Sequence, residues 1–573
     1  MSAVFKFLAL VVVIAIGFAL WEGLSEAPAA QPFPADQPAS AHKPDALPPP
    51  AKDELRLVFT YGSEKESWVK AATAEFNAAA NRLDGQRITV EAIPMGSGEC
   101  VEEAISGTRQ VHLISPASKA FITIGNAQSR TKTGNDLVAE TRDLVLSPVV
   151  IALWKPMAEA LGWPGKPVGW AEVLALAQHP QGWASVGQAQ WGAFRFGHTH
   201  PEYSNSGIIS VRAECYAGAG KTAGLSLEDL AKPELATFVN GIERSVVHYG
   251  RSTGFFATRL AAGGPAKLSA AVLYESSVIE ANQKSDGNFP PLVSIYPREG
   301  TFWSDHPAGI VERPWVTPAH RAAAKKYLDF LLGEPRQRAA LALGFRPAAV
   351  EIAIAAPIDA AHGADPKQPT TTLEVPPAPV IDAALRLWRD HKKRSSVVLV
   401  LDTSGSMKDE GRMAGAKLGA AALINQLGDE DRLSLLTFND RMTWVIRDQP
   451  VAGARTQLLG AVQGLYPDGG TALYDAVAAA YQAASAIERG RIAAVVVLTD
   501  GADTDSQIKL GTLEQTLAGD SERSATVRVF TIAYGKGANK DILKRIAERT
   551  QAKSYSGGSG EVEALFKDIA TFF

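Results

Sequence analysis

Asp402, Ser404 and Ser406 stand at alternate positions in the stretch VVLVLDTSGSM, Val397 to Met407. One carboxylate and two hydroxyls so spaced offer hard oxygen ligands suited to Mg²⁺ or Ca²⁺. The apolar, mostly β-branched run before them reads as a central parallel strand covered on both faces, and it switches at Asp402 to a polar loop. Ligands of open α/β sheets bind outside the carboxyl ends of the strands, which is where these oxygens fall. Two catalytic chemistries compete for the same residues, an acylphosphate on Asp402 or a nucleophilic Ser404. A serine nucleophile needs a base, and no histidine follows His391, so metal binding is the better fit.

The surrounding sequence supplies elements to position such a site. Helical periodicity over Gly411 to Leu427, a strand over Asp431 to Phe438, an edge strand over Met442 to Arg447 and helices over Thr456 to Leu465 and Asp475 to Ile487 come first. A second continuous apolar strand, Ala493 to Leu498, then runs into Thr499-Asp500-Gly501. A strand over Val527 to Ala533, a helix over Asp541 to Arg549, a short strand near Ser554 and a helix over Val562 to Phe573 complete the pattern. Such alternation requires a doubly wound, Rossmann-like parallel sheet. In motif and in order of elements, residues 395–573 resemble von Willebrand factor type A domains. The resemblance implies a metal-ion-dependent adhesion site completed by a threonine from a Gly-rich loop and an aspartate after a later strand, positions matched here by Thr471 and Asp500. With Asp402, Ser404 and Ser406 these make the ligand set for Mg²⁺ (or Ca²⁺ or Mn²⁺). A protein partner offering an acidic residue would fill the open coordination position. The activity so implied is recognition, and the protein is expected not to be an enzyme.

The N-terminal half shows another α/β alternation. A strand over Leu55 to Tyr61, a turn at Gly62-Ser63 and a helix over Ser67 to Ala78 open it. A strand over Arg87 to Ile93 leads to Gly96-Ser97-Gly98, and one over His112 to Ile114 ends in Ser115-Pro116-Ala117-Ser118. Hydroxyls and helix N–H groups at successive strand ends can hold an anion or another acceptor, although for each residue taken singly a role as N-cap or turn residue is the better reading. The order continues through residues 144 to 163, a loop-rich section from Phe194 to Gly207, the strand and turn Ala271 to Ser277, and a helix over Ala319 to Leu332. This order resembles type II periplasmic solute-binding proteins, the two-lobed receptors of ABC importers. The resemblance implies a small polar or anionic solute held between lobes that close by a hinge. It carries over as contacts Ser63, Ser97, Gly98, Ser115, Ser118, Ser204, Asn205, Ser206 and Tyr274. Trp303 or Tyr296 would instead suit a sugar or a peptide. His198, His200 and Glu202 form an H-x-H-x-E pattern that could ligate a transition metal. No third His or Cys lies near them in sequence, so a hinge or cleft-lining role is preferred. A hydrolase built on His198 or His248 lacks a nucleophile elbow or a paired carboxylate.

A chain of 573 residues, 46% hydrophobic and 21% charged, is globular and too long for one core. A formal net charge of −4 lacks the basic footprint of a nucleic-acid partner. The two cysteines, Cys100 and Cys215, cannot build a zinc cluster and leave either one bridge or two free thiols. Phe7 to Trp21 is unbroken apolar sequence, with Lys6 before it and Glu22 and Glu26 after it, which favours a cytoplasmic N-terminus and export of the rest. Residues 1–22 are therefore expected to be a transmembrane anchor with an extracytoplasmic soluble part. The alternative is a signal peptide cleaved near Ala27-Pro28-Ala29 and secretion to the periplasm. A Pro/Ala-rich linker occupies 23–52, the two-lobed domain 53–355, a connector with a helix over Val380 to His391 occupies 356–394, and the type A domain 395–573. The expected function is that of an extracytoplasmic binding protein that docks a partner through metal and captures or senses a solute. The alternative is an adhesion or assembly factor whose two-lobed module is only a scaffold.

Overall fold

The computed structural model describes residue 51 and residues 53–573, except 108, 488–489, 519–526, 536, 551 and 559–560. The expected N-terminal anchor, 1–22, and nearly all of the linker lie outside the described residues. Among the described residues no helix is long and apolar enough to cross a membrane.

The first ten principal strands build two lobes. They are β1 (Glu54–Gly62), β2 (Gln86–Met95), β3 (Leu113–Ser115), β4 (Val138–Asp143), β5 (Val145–Trp154), β6 (Phe196–Thr199), β7 (Val246–Gly250), β8 (Ala270–Tyr274), β9 (Leu292–Ile295) and β10 (Pro307–Val311). The first lobe has the order β2-β1-β3-β10-β4, with the two-residue strand Arg82–Leu83 outside β2. The second has the order β9-β5-β8-β6-β7. The chain leaves the first lobe between β4 and β5 and returns at β10, which pairs antiparallel with β3 and β4. That double crossing makes two lobes joined by a hinge rather than two beads on a string. In β1 the alternation that suggested a strand buries Leu55, Leu57 and Phe59 against Trp68, Phe76 and Tyr327. The helices that matter below are α1 (Glu66–Ala78), α2 (Ser97–Ser106), α3 (Asn205–Ala219), α4 (Pro233–Glu243) and α5 (Thr253–Gly263). Helix α6 (Ala378–His391) then leads to the C-terminal part.

The C-terminal sheet contains β11 (Ser395–Asp402), β12 (Arg432–Phe438), β13 (Met442–Pro450), β14 (Ile492–Thr499), β15 (Arg528–Tyr534) and β16 (Ser554–Gly557). Their order is β13-β12-β11-β14-β15-β16, and every pairing is parallel except that of edge strand β13. Helices α7 (Arg412–Gln426), α8 (Leu473–Ser485) and α9 (Val562–Ala570) cover it. All eight residues of β11 are buried, as a strand covered on both faces requires.

The second lobe and the C-terminal sheet share one continuous apolar cluster, which includes Val246, Tyr249, Trp388, Phe530 and Phe573. Trp388 on α6 is the joint. Its ring meets His200 at 4.9 Å and Tyr249 at 5.4 Å, both edge-on. Beyond α9 the chain stops being helical and Phe572 packs against Phe530 at 4.8 Å, while the Tyr249 N–H donates to the Phe572 carbonyl. Trp388→Ala is expected to destabilise the protein by about 3–5 kcal/mol, because a fully buried indole is lost without space to collapse. Urea denaturation followed by circular dichroism measures it.

Candidate functional site

The metal-ligand candidates meet at the carboxyl edge of the C-terminal sheet. Parallel pairing of Leu401 with Leu498 brings the ends of β11 and β14 side by side. Asp402 is fully buried; its Oδ1 accepts from the Ser404 N–H at 2.7 Å and its Oδ2 from the Thr499 hydroxyl at 2.5 Å. The Ser404 and Ser406 hydroxyls lie 3.0 Å apart, and Ser406 donates to Asp500 Oδ1 at 2.7 Å. Thr471 arrives on the loop before α8. That loop is held by the Gly405 N–H on the Gly469 carbonyl at 2.9 Å and by the Thr471 N–H on Asp505 Oδ2 at 2.8 Å. A Cβ placed on Gly501 would lie 3.5 Å from the Thr471 hydroxyl and 3.9 Å from that of Ser406, so both hydroxyls face the same spot. Asp402, Ser404, Ser406, Thr471 and Asp500 are thus brought together from three stretches of the chain.

The electrostatics suit a cation. Burial pushes the Asp402 carboxyl up to about 6, against the hydrogen bonds from Thr499 and Ser404. Asp500 is also buried, and its second oxygen accepts from Arg412 Nη1 at 2.7 Å. Of the two buried carboxylates only that of Asp500 has a guanidinium partner, and every remaining donor is an oxygen, a set that fits a hard divalent ion. Arg412, Thr499 and the Asp503-Thr504-Asp505-Ser506 turn escaped the sequence reading. The turn also holds the start of α8, where Ser506 accepts from the Tyr474 N–H at 2.9 Å. Its run of Asp, Thr and Ser after a strand end was the available signal.

The cleft candidates divide into two groups. Ser63 Oγ meets Ser252 Oγ across the lobes at 2.9 Å and accepts from the Gly254 N–H at 3.2 Å. Ser204 and Ser206 reach Thr253 at 3.2 and 2.8 Å, and Asn205 donates to Tyr274 and Ser304 at 3.0 and 2.9 Å. The Gly98 N–H donates to the Tyr203 carbonyl at 3.1 Å, and a Cβ there would lie 3.1 Å from the Glu202 carbonyl, so glycine permits this close approach. Ser97, Ser115 and Ser118 stay within the first lobe. Ser97 accepts from the Ala117 N–H at 3.0 Å, Ser118 caps its helix by accepting from the Ala120 N–H at 3.1 Å, and Ser115 Oγ is buried without a partner.

Three residues that the sequence reading missed sit against Tyr274. Glu64, Lys65 and His306 are all buried. Lys65 Nζ lies 2.6 Å and His306 Nδ1 3.2 Å from Glu64 Oε1, and the His306 ring is 5.3 Å from that of Tyr274. Burial works to raise the Glu64 carboxyl, but the Lys65 ammonium and the His306 ring outweigh it and hold it at about 2. A cavity of 340 Å³, which none of these three residues lines, is bordered among others by Ser63, Trp154, Phe255, Glu280, Lys284 and Phe289.

The H-x-H-x-E triplet does not converge. His198 turns to Glu243 at 3.0 Å, His200 packs on Trp388, and Glu202 pairs with Arg389 at 2.6 Å. Residues two apart on a strand share a face, but the strand ends at Thr199, so His200 already belongs to the turn and does not follow His198, and the same turn carries Glu202 to another surface. Cys100 and Cys215 are both buried and free.

Two lobes crossed twice by the chain and a doubly wound sheet with an oxygen-lined edge define a solute-binding fold joined to an adhesion-type fold. The family model of bacterial extracellular solute-binding proteins matches residues 57–346, and the chain belongs to that family. The von Willebrand factor type A domain model matches residues 396–566. An uncharacterized protein of Synechocystis sp. is 33% identical over 187 residues, which cover 31% of this chain and 42% of the relative. The match thus spans about two fifths of that relative's length. An uncharacterized protein of Mycobacterium tuberculosis is 23% identical over 536 residues, 86% of this chain and 72% of its own. Among solved structures, a periplasmic thiamin binding protein is similar at 14% identity and a TM-score of 0.44, covering 61% of this chain and 99% of that one.

The Glu64 cluster sets an acid limit on the fold. Its carboxyl is depressed from an ordinary 4.5 to about 2, so its contribution is fully present above pH 4.5 and is lost as pH falls toward 2. In melting curves taken between pH 6 and pH 2, the wild-type midpoint is expected to fall more steeply below pH 4.5 than that of Glu64→Gln.

Proposed function

We propose that the protein is an extracytoplasmic docking factor. Asp402, Ser404, Ser406, Thr471 and Asp500 hold a divalent cation, Mg²⁺ foremost, and a protein partner presents an acidic side chain to it. The observation that carries this reading is the row of oxygens in which the Ser404 hydroxyl lies 3.0 Å from that of Ser406 and Ser406 lies 2.7 Å from Asp500 Oδ1, next to buried Asp402. When bound, the ion supplies an open position for a carboxylate. The neutral hydroxyls leave much of its charge for the partner, and Arg412 keeps Asp500 oriented. Membership of an extracellular solute-binding family suggests a location outside the cytoplasm, in keeping with the expected N-terminal anchor. Both domains belong to binding or adhesion families, which supports recognition without turnover.

In this reading the two-lobed module is a closed scaffold. The Ser63–Ser252 and Gly98–Tyr203 hydrogen bonds join the lobes directly, and the Glu64–Lys65–His306 cluster occupies the space next to Tyr274. Asp402→Ala is expected to leave the melting transition in place and to abolish Mg²⁺-dependent capture of a partner from membrane extract. Capture that persists in the variant, or in wild type with EDTA, refutes the proposal.

The 340 Å³ cavity favours a second reading, capture of a small solute at the edge of the lobes. Glu66, Glu280 and Asp286 line it with Lys284 as the lone ammonium among its lining residues, which favours a neutral or cationic molecule over an anion. Phe289 stands 5.9 Å from Trp154 and is partly exposed. A titration with spermidine is expected to change tryptophan fluorescence saturably in wild type and not in Phe289→Ala; no change in wild type removes this reading for polyamines.

A further inference from the structure

Three side chains from three separate elements converge inside the second lobe. His198 on β6, Glu214 on α3 and Glu243 at the end of α4 are each fully buried. One donor atom of each lies within 4.8 Å of the other two. His198 Nδ1 is 2.8 Å from the Thr199 carbonyl oxygen and donates its proton there. Nε2 therefore faces Glu243 Oε1, 3.0 Å away. The Tyr249 hydroxyl donates to the other oxygen of Glu243 at 2.7 Å, and Ser210 donates to Glu214 Oε1 at 2.9 Å. Glu214 Oε2 is buried with no hydrogen-bond partner, and among the described residues no Lys or Arg forms an ion pair with either carboxylate.

Lys392, whose ammonium stands 5.9 Å from the Tyr249 ring, is close enough to interact with Glu243 but is not paired with it. Two carboxylates taken out of water with no cation paired to either are costly, so the cluster must gain further positive charge as protons or as a metal. Protons on His198 and Glu214 would balance the charge but would leave Glu214 Oε2 facing no partner. We infer that His198, Glu214 and Glu243 bind a divalent transition-metal cation, zinc foremost, as a closed structural site whose fourth position is taken by the unpartnered second oxygen of Glu214. An imidazole with two carboxylates suits zinc better than Mg²⁺ or Ca²⁺, which prefer oxygen alone. Donors held at roughly 2.0–2.2 Å around one ion stand roughly 3–3.5 Å apart, and the separation of Nε2 from Oε1 falls there. The Thr199 carbonyl, the Tyr249 hydroxyl and the Ser210 hydroxyl are the outer contacts that orient metal ligands. The site staples β6 to α3 and α4, the helices on which α6 rests before the chain enters the C-terminal sheet. It differs from the Asp402 edge in being closed and in using nitrogen.

The test uses the full chain, dialysed against EDTA at neutral pH and assayed for metal by mass spectrometry. Wild type and Asp402→Ala are expected to keep about one zinc per chain, because the closed site exchanges slowly while the open edge is stripped. Glu214→Gln is expected to lose that zinc and to melt at a lower temperature. Glutamine copies the shape of a protonated glutamate, so a cluster that holds only protons would let Glu214→Gln melt at or above the wild-type temperature. That result overturns the inference, as does wild type that holds no zinc after refolding with Zn²⁺ and dialysis. Equal zinc in wild type and Glu214→Gln overturns it as well.

Discussion

Arg251 sits where both lobes and the C-terminal domain meet. It follows β7 in the second lobe, and its guanidinium donates to Glu99 on α2 of the first lobe at 2.6 Å and to Asp568 on α9. Taking a guanidinium largely out of water is unfavourable unless well-placed carboxylates compensate it, and here two do, from different parts of the fold. Asp568 also draws Lys553, at 3.3 Å. A swing of the first lobe about its hinge would separate Arg251 from Glu99, while Asp568 would hold it to the C-terminal domain. The close approach of Gly98 to Tyr203 and of Gly254 to Ser63 belongs to the same seam, where a Cβ on Gly254 would come within 2.6 Å of the Ser63 carbonyl.

Much of the fold was legible because it is written in local patterns. The buried run before Asp402 is a central parallel strand, and Met442 does open an antiparallel edge strand, three residues longer than its apolar pattern suggests. The last helix stops at Ala570 instead of Phe573, because Phe572 and Phe573 leave it to pack on Phe530. No periodicity announces such a tertiary demand. The oxygen edge was readable because three of its candidate ligands share one short motif, and the resemblance supplied Thr471 and Asp500. Arg412 was not readable, since an arginine opening an amphipathic helix looks like any solvated residue.

The lobe seam and the His198 cluster were illegible for a different reason. Ser63 and Ser252 lie 189 residues apart and each looks like an ordinary helix-capping serine. Glu214 and Glu243 sit on different helices, 29 residues apart, where sequence gives no hint that two carboxylates share a pocket with an imidazole. The H-x-H-x-E pattern drew attention to the right histidine for the wrong neighbours. Residues close along the chain were less informative here than the three-dimensional meeting of β6, α3 and α4.

The continuous apolar cluster through Trp388 bears on how a docked partner would be presented. A domain joined by a flexible tether samples a volume set by chain statistics, and its effective concentration at any second surface is diluted accordingly. Here α6 packs on the second lobe and the final phenylalanines reach across the junction, so side-chain packing rather than linker entropy fixes the bearing of the Asp402 edge. The C-terminal domain is a bracket with a set angle. Under the proposed function a docked partner would be held at one distance and one orientation from the lobes, so selection among partners could act on their shape far from the carboxylate that docks.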